Sequence, residues 1–211
     1  LSEFVELEIL FNKNFLPTEK SMKSIEEATS LATQGDAAFI ETDYIQASKY
    51  YAEAGAIVRG LISTTEREIA EITTELRKSI DNLNESQARE LSASLDARIQ
   101  ENETTLALKK RIASLPMIVS KMREARNFEL EEEYGKALSL YAEIKDLDPA
   151  TVSLQGRLDS AQAGSNRVKV NSLLSTGFTA LSERNFGVSR NSFTSALKLD
   201  PKSLAAIGGL Q

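Results

Sequence analysis

The sequence predicts an all-α protein: a stack of helical hairpins with a long antiparallel coiled-coil insertion. Three observations predict it. The helix breakers are unevenly spaced, with no proline between Pro17 and Pro116 and no glycine between Gly60 and Gly135. The stretch between them is dominated by Glu, Arg, Lys, Leu, Ile, Ala, Ser and Thr, and a helix is the regular structure that suits such a run. The 8 Phe and 5 Tyr all fall outside residues 52–127, so the chain has aromatic ends and an aromatic-free middle. Finally, one spacing of small and aromatic residues recurs three times, which is the signature of a repeat architecture.

Residues 1–17 form an N-terminal segment. Val5, Leu7, Ile9 and Phe11 alternate as a strand would, but Phe4, Leu7, Phe11 and Phe15 also fall at helical spacing. The expectation is a helix that ends before Pro17. Residues 18–58 hold the first copy of the repeat, with Gly35, Ala38, Tyr44, Ala47, Tyr51 and Ala54. The second copy, Ala125, Phe128, Tyr134, Ala137, Tyr141 and Ile144, lies within residues 116–166. The third, Gly177, Ala180, Phe186, Ser189, Phe193 and Ala196, lies within 167–211. In each copy an aromatic opens the second helix. A small residue and a second aromatic then share one of its faces. Small residues facing large ones let two helices approach closely. Asp148-Pro149 and Asp200-Pro201 stop the second helix, because proline cannot continue it and disfavours helical geometry in the residue before.

The phrase from Tyr134 through Ala137, Tyr141 and Ile144 to Asp148-Pro149 resembles the second helix of a tetratricopeptide repeat. Phe186 to Asp200-Pro201 resembles another, and Asp43 to Ala54 a third. The resemblance implies a tetratricopeptide-like solenoid and is nearly silent on function. The copies depart from the family pattern. Arg59 stands where the first should have its proline, smaller residues replace the usual first-helix aromatics, and the copies are not contiguous.

Without a stop at Arg59 the helix should run on into residues 59–115. Leu61, Ile62, Ile69, Ile72, Leu76, Ile80 and Leu83 lead outward, and Ala88, Leu91, Leu95, Ile99, Leu106, Ile112 and Leu115 lead back. Steps of three and four give the seam of a coiled coil. The polar cluster Asp81–Ser86 can turn the chain, which gives two arms of about 30 residues, each roughly 45 Å long at 1.5 Å per residue. The alternative is one straight helix that pairs between chains and makes a homodimer. Val152, Leu154, Leu158 and Ala161 predict an added helix before Gly164, and Leu204–Leu210 reads as the start of a further one.

Composition narrows the chemistry. The 211 residues contain no His and no Cys, so imidazole relays, zinc hydrolase motifs and disulfides are excluded. A net charge of −6 argues against a general nucleic-acid binder, which needs a basic face to displace phosphate counterions. No stretch approaches the roughly 18 apolar residues that cross a bilayer. No cofactor or metal motif stands out. Glu131-Glu132-Glu133 reads as a solvated loop, and Lys109-Lys110-Arg111 as a solvated helix end. Asn84 and Asn102 head glycosylation sequons that matter only in a eukaryotic secretory protein.

The candidate site is a groove lined by the first helices of the repeats. By register it holds Phe39, Ile40, Met122, Arg126, Leu130, Leu174, Phe178 and Leu181. Met and Phe suit an adaptable peptide groove. The alternative is that these residues are core, covered by the stack or by the Phe4–Phe15 segment. The expected function is a non-enzymatic scaffold that holds proteins or peptides; the alternative is a structural oligomer joined by an intermolecular coiled coil. The texture is similar to extracytoplasmic domains of some bacterial single-span membrane proteins. That texture leans toward the bacterial periplasm, as the soluble part of an anchored protein, while the compartment stays open; a first residue of Leu reads as a trimmed or processed fragment.

Overall fold

The computed structural model describes residues 2–211. Among them are nine α-helices and no strand: α1 (Ser2–Asn14), α2 (Glu19–Ile40), α3 (Tyr44–Asp81), α4 (Glu85–Asp96), α5 (Glu103–Leu130), α6 (Tyr134–Leu147), α7 (Leu154–Ser182), α8 (Phe186–Leu199) and α9 (Leu204–Leu210). They form two compact units, Leu1–Ala113 and Ser114–Gln211, with the boundary inside α5.

In the first unit, α1 stops before Pro17 as expected. Thr18 then caps α2 reciprocally. Its hydroxyl accepts from the Ser21 amide at 3.2 Å, while the Thr18 amide donates to Ser21 Oγ at 2.7 Å. α2 and α3 pack as an antiparallel pair. Phe4 of α1 inserts among Ala28, Ala32, Ala54 and Val58, so the N-terminal segment is built into the core of this unit. An ion pair between Glu3 and Arg59 accompanies it. At its other end Phe15 bridges to Ile99, and the Leu16 amide donates to the Arg98 carbonyl at 2.9 Å.

As expected, α3 runs unbroken past Arg59. It continues through 38 residues to Asp81. The chain turns at 82–84, inside the expected cluster, and α4 packs back on α3 within the same chain. The return arm is not one helix. α4 ends at Asp96, residues 97–102 leave helical geometry, and α5 begins at Glu103. Two local features favour the break. Residues 98 and 99 are occupied by pairing with the N-terminal segment. Asn102 caps α5, its Oδ1 accepting from the Thr105 amide at 3.0 Å. The expected boundaries at 59, 116 and 167 fall inside α3, α5 and α7.

Four helix pairs share one turn. Thr42, Leu83, Glu132 and Arg184 adopt left-handed φ of 64°, 58°, 59° and 58°. The amide after each reaches back to close the preceding helix: Asp43 to Ala38 O, Asn84 to Ser79 O, Glu133 to Phe128 O and Asn185 to Ala180 O, at 2.8–2.9 Å. Asp43, Asn84 and Asn185 then accept from the amide three residues on, capping the helix that follows. The turns at 42, 132 and 184 belong to the three sequence copies. The turn at 83 is a fourth member. Five residues after each left-handed position stands a buried small side chain: Ala47, Ala88, Ala137 and Ser189.

In the second unit the small-against-large pairing is explicit. A Cβ at Gly177 of α7 would lie 2.7 Å from Phe193 Cε1 of α8, and one at Gly209 of α9 would lie 2.5 Å from the same ring. Phe193 is thus gripped by backbone on both sides. In the first unit a Cβ at Gly35 would lie 2.7 Å from Tyr51 Cε1. The two Asp-Pro stops are matched in detail. Asp148 Oδ1 accepts from the Ala150 amide and Asp200 Oδ1 from the Lys202 amide, each at 3.1 Å. The added helix does not end before Gly164. It continues as α7, which packs on α6 and on α8. Gly164 is retained in its middle because the Tyr134 ring occupies the space of a side chain there. α9 forms as expected and packs on α8.

Candidate functional site

The eight residues expected to line a groove divide between the two units. In the first, Phe39 and Ile40 close α2 and are exposed. The Phe39 ring meets Tyr44 edge-on at a centroid distance of 5.2 Å. Together with Glu3, Phe4, Ala47 and Tyr51 these two rings line a cavity of about 370 Å³. The Tyr51 hydroxyl donates to Asp36 Oδ1 at 2.6 Å, and this bond holds the phenol proton and raises its pKa.

In the second unit, Arg126 and Leu130 lie one turn apart on α5, and Leu130 is 84% exposed. Met122, one turn earlier, is only 3% exposed and belongs to the packed interior. It lies on the helix face that carries the buried Ile118 and Ala125, so it cannot meet a ligand from solvent. On α7, Leu174 is half-buried, while Phe178 and Leu181 are 47% and 40% exposed. These three stand at positions i, i+4 and i+7, one file along the helix. Phe178 is anchored from below, its ring 4.9 Å from that of Phe193.

Arg126 and Leu130 also line a cavity of about 760 Å³, with Glu129, Tyr134, Arg157 and Arg167. Arg157 approaches Glu129 Oε2 only to 3.9 Å. Arg167 Nη2 donates to the Tyr134 hydroxyl at 3.2 Å. Arg126 makes no hydrogen bond or ion pair with any described residue. Of the lining, Glu129 Oε1 is buried without a hydrogen-bond partner, and behind it the Tyr141 side chain is fully buried. Burial, followed by the neighbouring Glu129 carboxylate, pushes the Tyr141 phenol up to about 12.

The sequence reading found Arg126 and Leu130 and missed Arg157 and Arg167. The signal was present: Arg157, Ser160, Gly164 and Arg167 step by three, four and three along one helix face. A break placed at Gly164 hid it. One other expectation changes. Lys109 and Arg111 are not a solvated helix end. Lys109 pairs with Asp96 at 3.0 Å and Glu101 at 2.9 Å, which raises its pKa, and Arg111 pairs with Asp81 at 2.9 Å. Glu131–Glu133 form an exposed turn between α5 and α6, as expected, and Glu133 pairs with Lys136. Asn84 and Asn102, which head the two sequons, serve as helix caps.

Among the described residues no group of three or more acids is placed to hold a metal ion, and no helix is long and apolar enough to cross a membrane. No protein-family model matches the chain, and no curated protein or solved structure matches it either.

Proposed function

We propose that this chain is a non-enzymatic scaffold that holds other proteins, a tetratricopeptide-like array of helical hairpins with the α3–α4 hairpin set among them. One observation carries the reading. In the second unit, α7 turns Gly177 and Ala180 into the core while Phe178 and Leu181 stay exposed beside them, and on α5 Leu130 is almost fully exposed. Large apolar side chains held open on packed, ordered helices are what a partner surface needs.

The test is a full-length chain carrying Leu130→Asp and Phe178→Asp. Partners are captured from cell extract with wild-type and variant protein, and helicity is followed by circular dichroism. The reading expects the variant to keep its helicity and lose the captured partners. Recovery of the same partners by a folded variant overturns it. Met122→Asp is unsuitable, because a charge in the interior destabilises the unit whatever its function.

A further inference from the structure

The cavity between α5, the start of α6 and α7 gathers three cations around one carboxylate. Arg126, Arg157 and Arg167 face one carboxylate, Glu129. Two positive charges are left over. Some cations elsewhere are answered at short range: Lys23 by Glu19 at 2.7 Å, Arg89 by Glu85 at 2.9 Å, Arg111 by Asp81 at 2.9 Å. Here the contacts are long or neutral, and Arg126 has none. The imbalance is local, because the whole chain carries 31 acids against 25 bases. Residues 1–113 hold most of that acidity, with seven more acids than bases, while 114–211 carry one more base than acid.

We propose that this cavity receives two carboxylate side chains from an acidic segment of a partner protein. The inference rests on the scaffold reading and names the chemistry of its ligand. Guanidinium forks bind carboxylates bidentately with charge-assisted bonds, and Arg clusters are a general mode of acidic-motif recognition. Two carboxylates neutralise the excess. A phosphate dianion would bring both charges to one point, against Glu129 in the lining. A nucleic acid would bring its whole backbone to an acidic protein. The lining supplies the rest of a peptide site. Leu130 offers an apolar edge, and the Tyr134 ring, seated on Gly164, offers a flat one. Arg167 is already oriented through Tyr134, so one of the three forks is held before a ligand arrives.

A random dodecapeptide library displayed on phage, selected against the full-length chain, tests this. The expected winners carry paired Asp or Glu beside a Leu, Ile or Phe. Their affinity should fall about tenfold in Arg126→Gln and again in Arg167→Gln, the loss of one charge-assisted contact each, and should weaken as salt is raised. Arg126 is exposed and unpaired, so Arg126→Gln should leave the thermal melting curve unchanged. Winners with no acidic bias, or acidic winners indifferent to both substitutions, overturn the carboxylate assignment. If such winners still lose binding to Leu130→Asp, the scaffold reading survives without it. Stronger competition by inorganic phosphate than by an acidic winner also overturns the assignment. Failure to select any peptide above background, with no partner captured by the intact chain, overturns both.

Discussion

Replacing Gly177 by alanine adds one methyl group at the point where α7 and α8 are closest. That methyl would lie 2.7 Å from Phe193 Cε1 and 2.9 Å from Cδ1 and Cζ, distances that real side chains do not tolerate. The ring cannot retreat, because it is fully buried and Gly209 backs its other side. Overpacking of this kind costs about 1–3 kcal/mol, against a gain of about 1 kcal/mol from the better helix propensity of alanine. With contact on both sides the upper half of the range applies, and the net loss is about 1–2 kcal/mol. The control lies in the same helix. Nothing stands within 4 Å of a Cβ at Gly156, so Gly156→Ala should stabilise by about 0.5–1 kcal/mol. Urea unfolding followed by circular dichroism reads both as shifts in midpoint at constant slope. Adding Phe193→Leu to Gly177→Ala should recover part of the loss, since the two residues touch. If Gly177→Ala stabilises as Gly156→Ala does, the interlock that defines the repeat is not what holds these helices together.

Tyr141 gives a pH dependence. Its phenol ionises near 10 when unfolded and at about 12 when folded, so the folded state keeps the proton longer. The stability this contributes is complete below pH 10 and is lost as pH rises toward 12, up to about 2–3 kcal/mol. Tyr141→Phe should flatten the alkaline limb of a melting-temperature profile, because phenylalanine has no phenol to ionise. A profile parallel to wild type contradicts this. Glu132→Gly and Arg184→Gly should each stabilise by up to about 1 kcal/mol, because both residues are exposed and hold φ near 58–59°, where glycine is unstrained. Equal or lower urea midpoints in both would refute that account.

The repeat was legible because its signal is steric. Gly35, Gly177, Tyr51, Tyr141 and Phe193 are the residues that set how close two helices come, and few other side chains can replace them. Asp-Pro was legible because proline removes a donor. The α3–α4 hairpin was read as a coiled-coil arm for the opposite reason. Counted from its left-handed residue Leu83, Leu76 stands where Gly35 and Gly177 stand, and Ser92 where Tyr51 and Phe193 stand. Large and small residues have exchanged sides. The backbone of the turn is kept, but the sequence pattern that reports it is inverted. The Arg cavity was half legible. Arg126 and Leu130 share one helix; the spacing of Arg157, Ser160, Gly164 and Arg167 puts the other two on one face of α7, but only tertiary packing brings that face to α5.

α3 and α7 each serve two hairpins. α3 closes the pair begun by α2 and opens the pair completed by α4, and α7 packs on both α6 and α8. In an array of separate repeats, each interface can break at the cost of one neighbour contact, and ends fray independently. A helix shared between two pairs removes that freedom. Melting the α2–α3 turn strips support from a helix whose far end braces α4, so partly opened forms carry the loss of both interfaces. Amide exchange along all 38 residues of α3 should therefore follow one opening event rather than a gradient from its ends. The same sharing constrains how the chain can change over evolutionary time. A hairpin that owns both its helices can be duplicated or deleted as a cassette. Here removing one would cut a helix in half, so within each unit repeat number is locked to fold integrity.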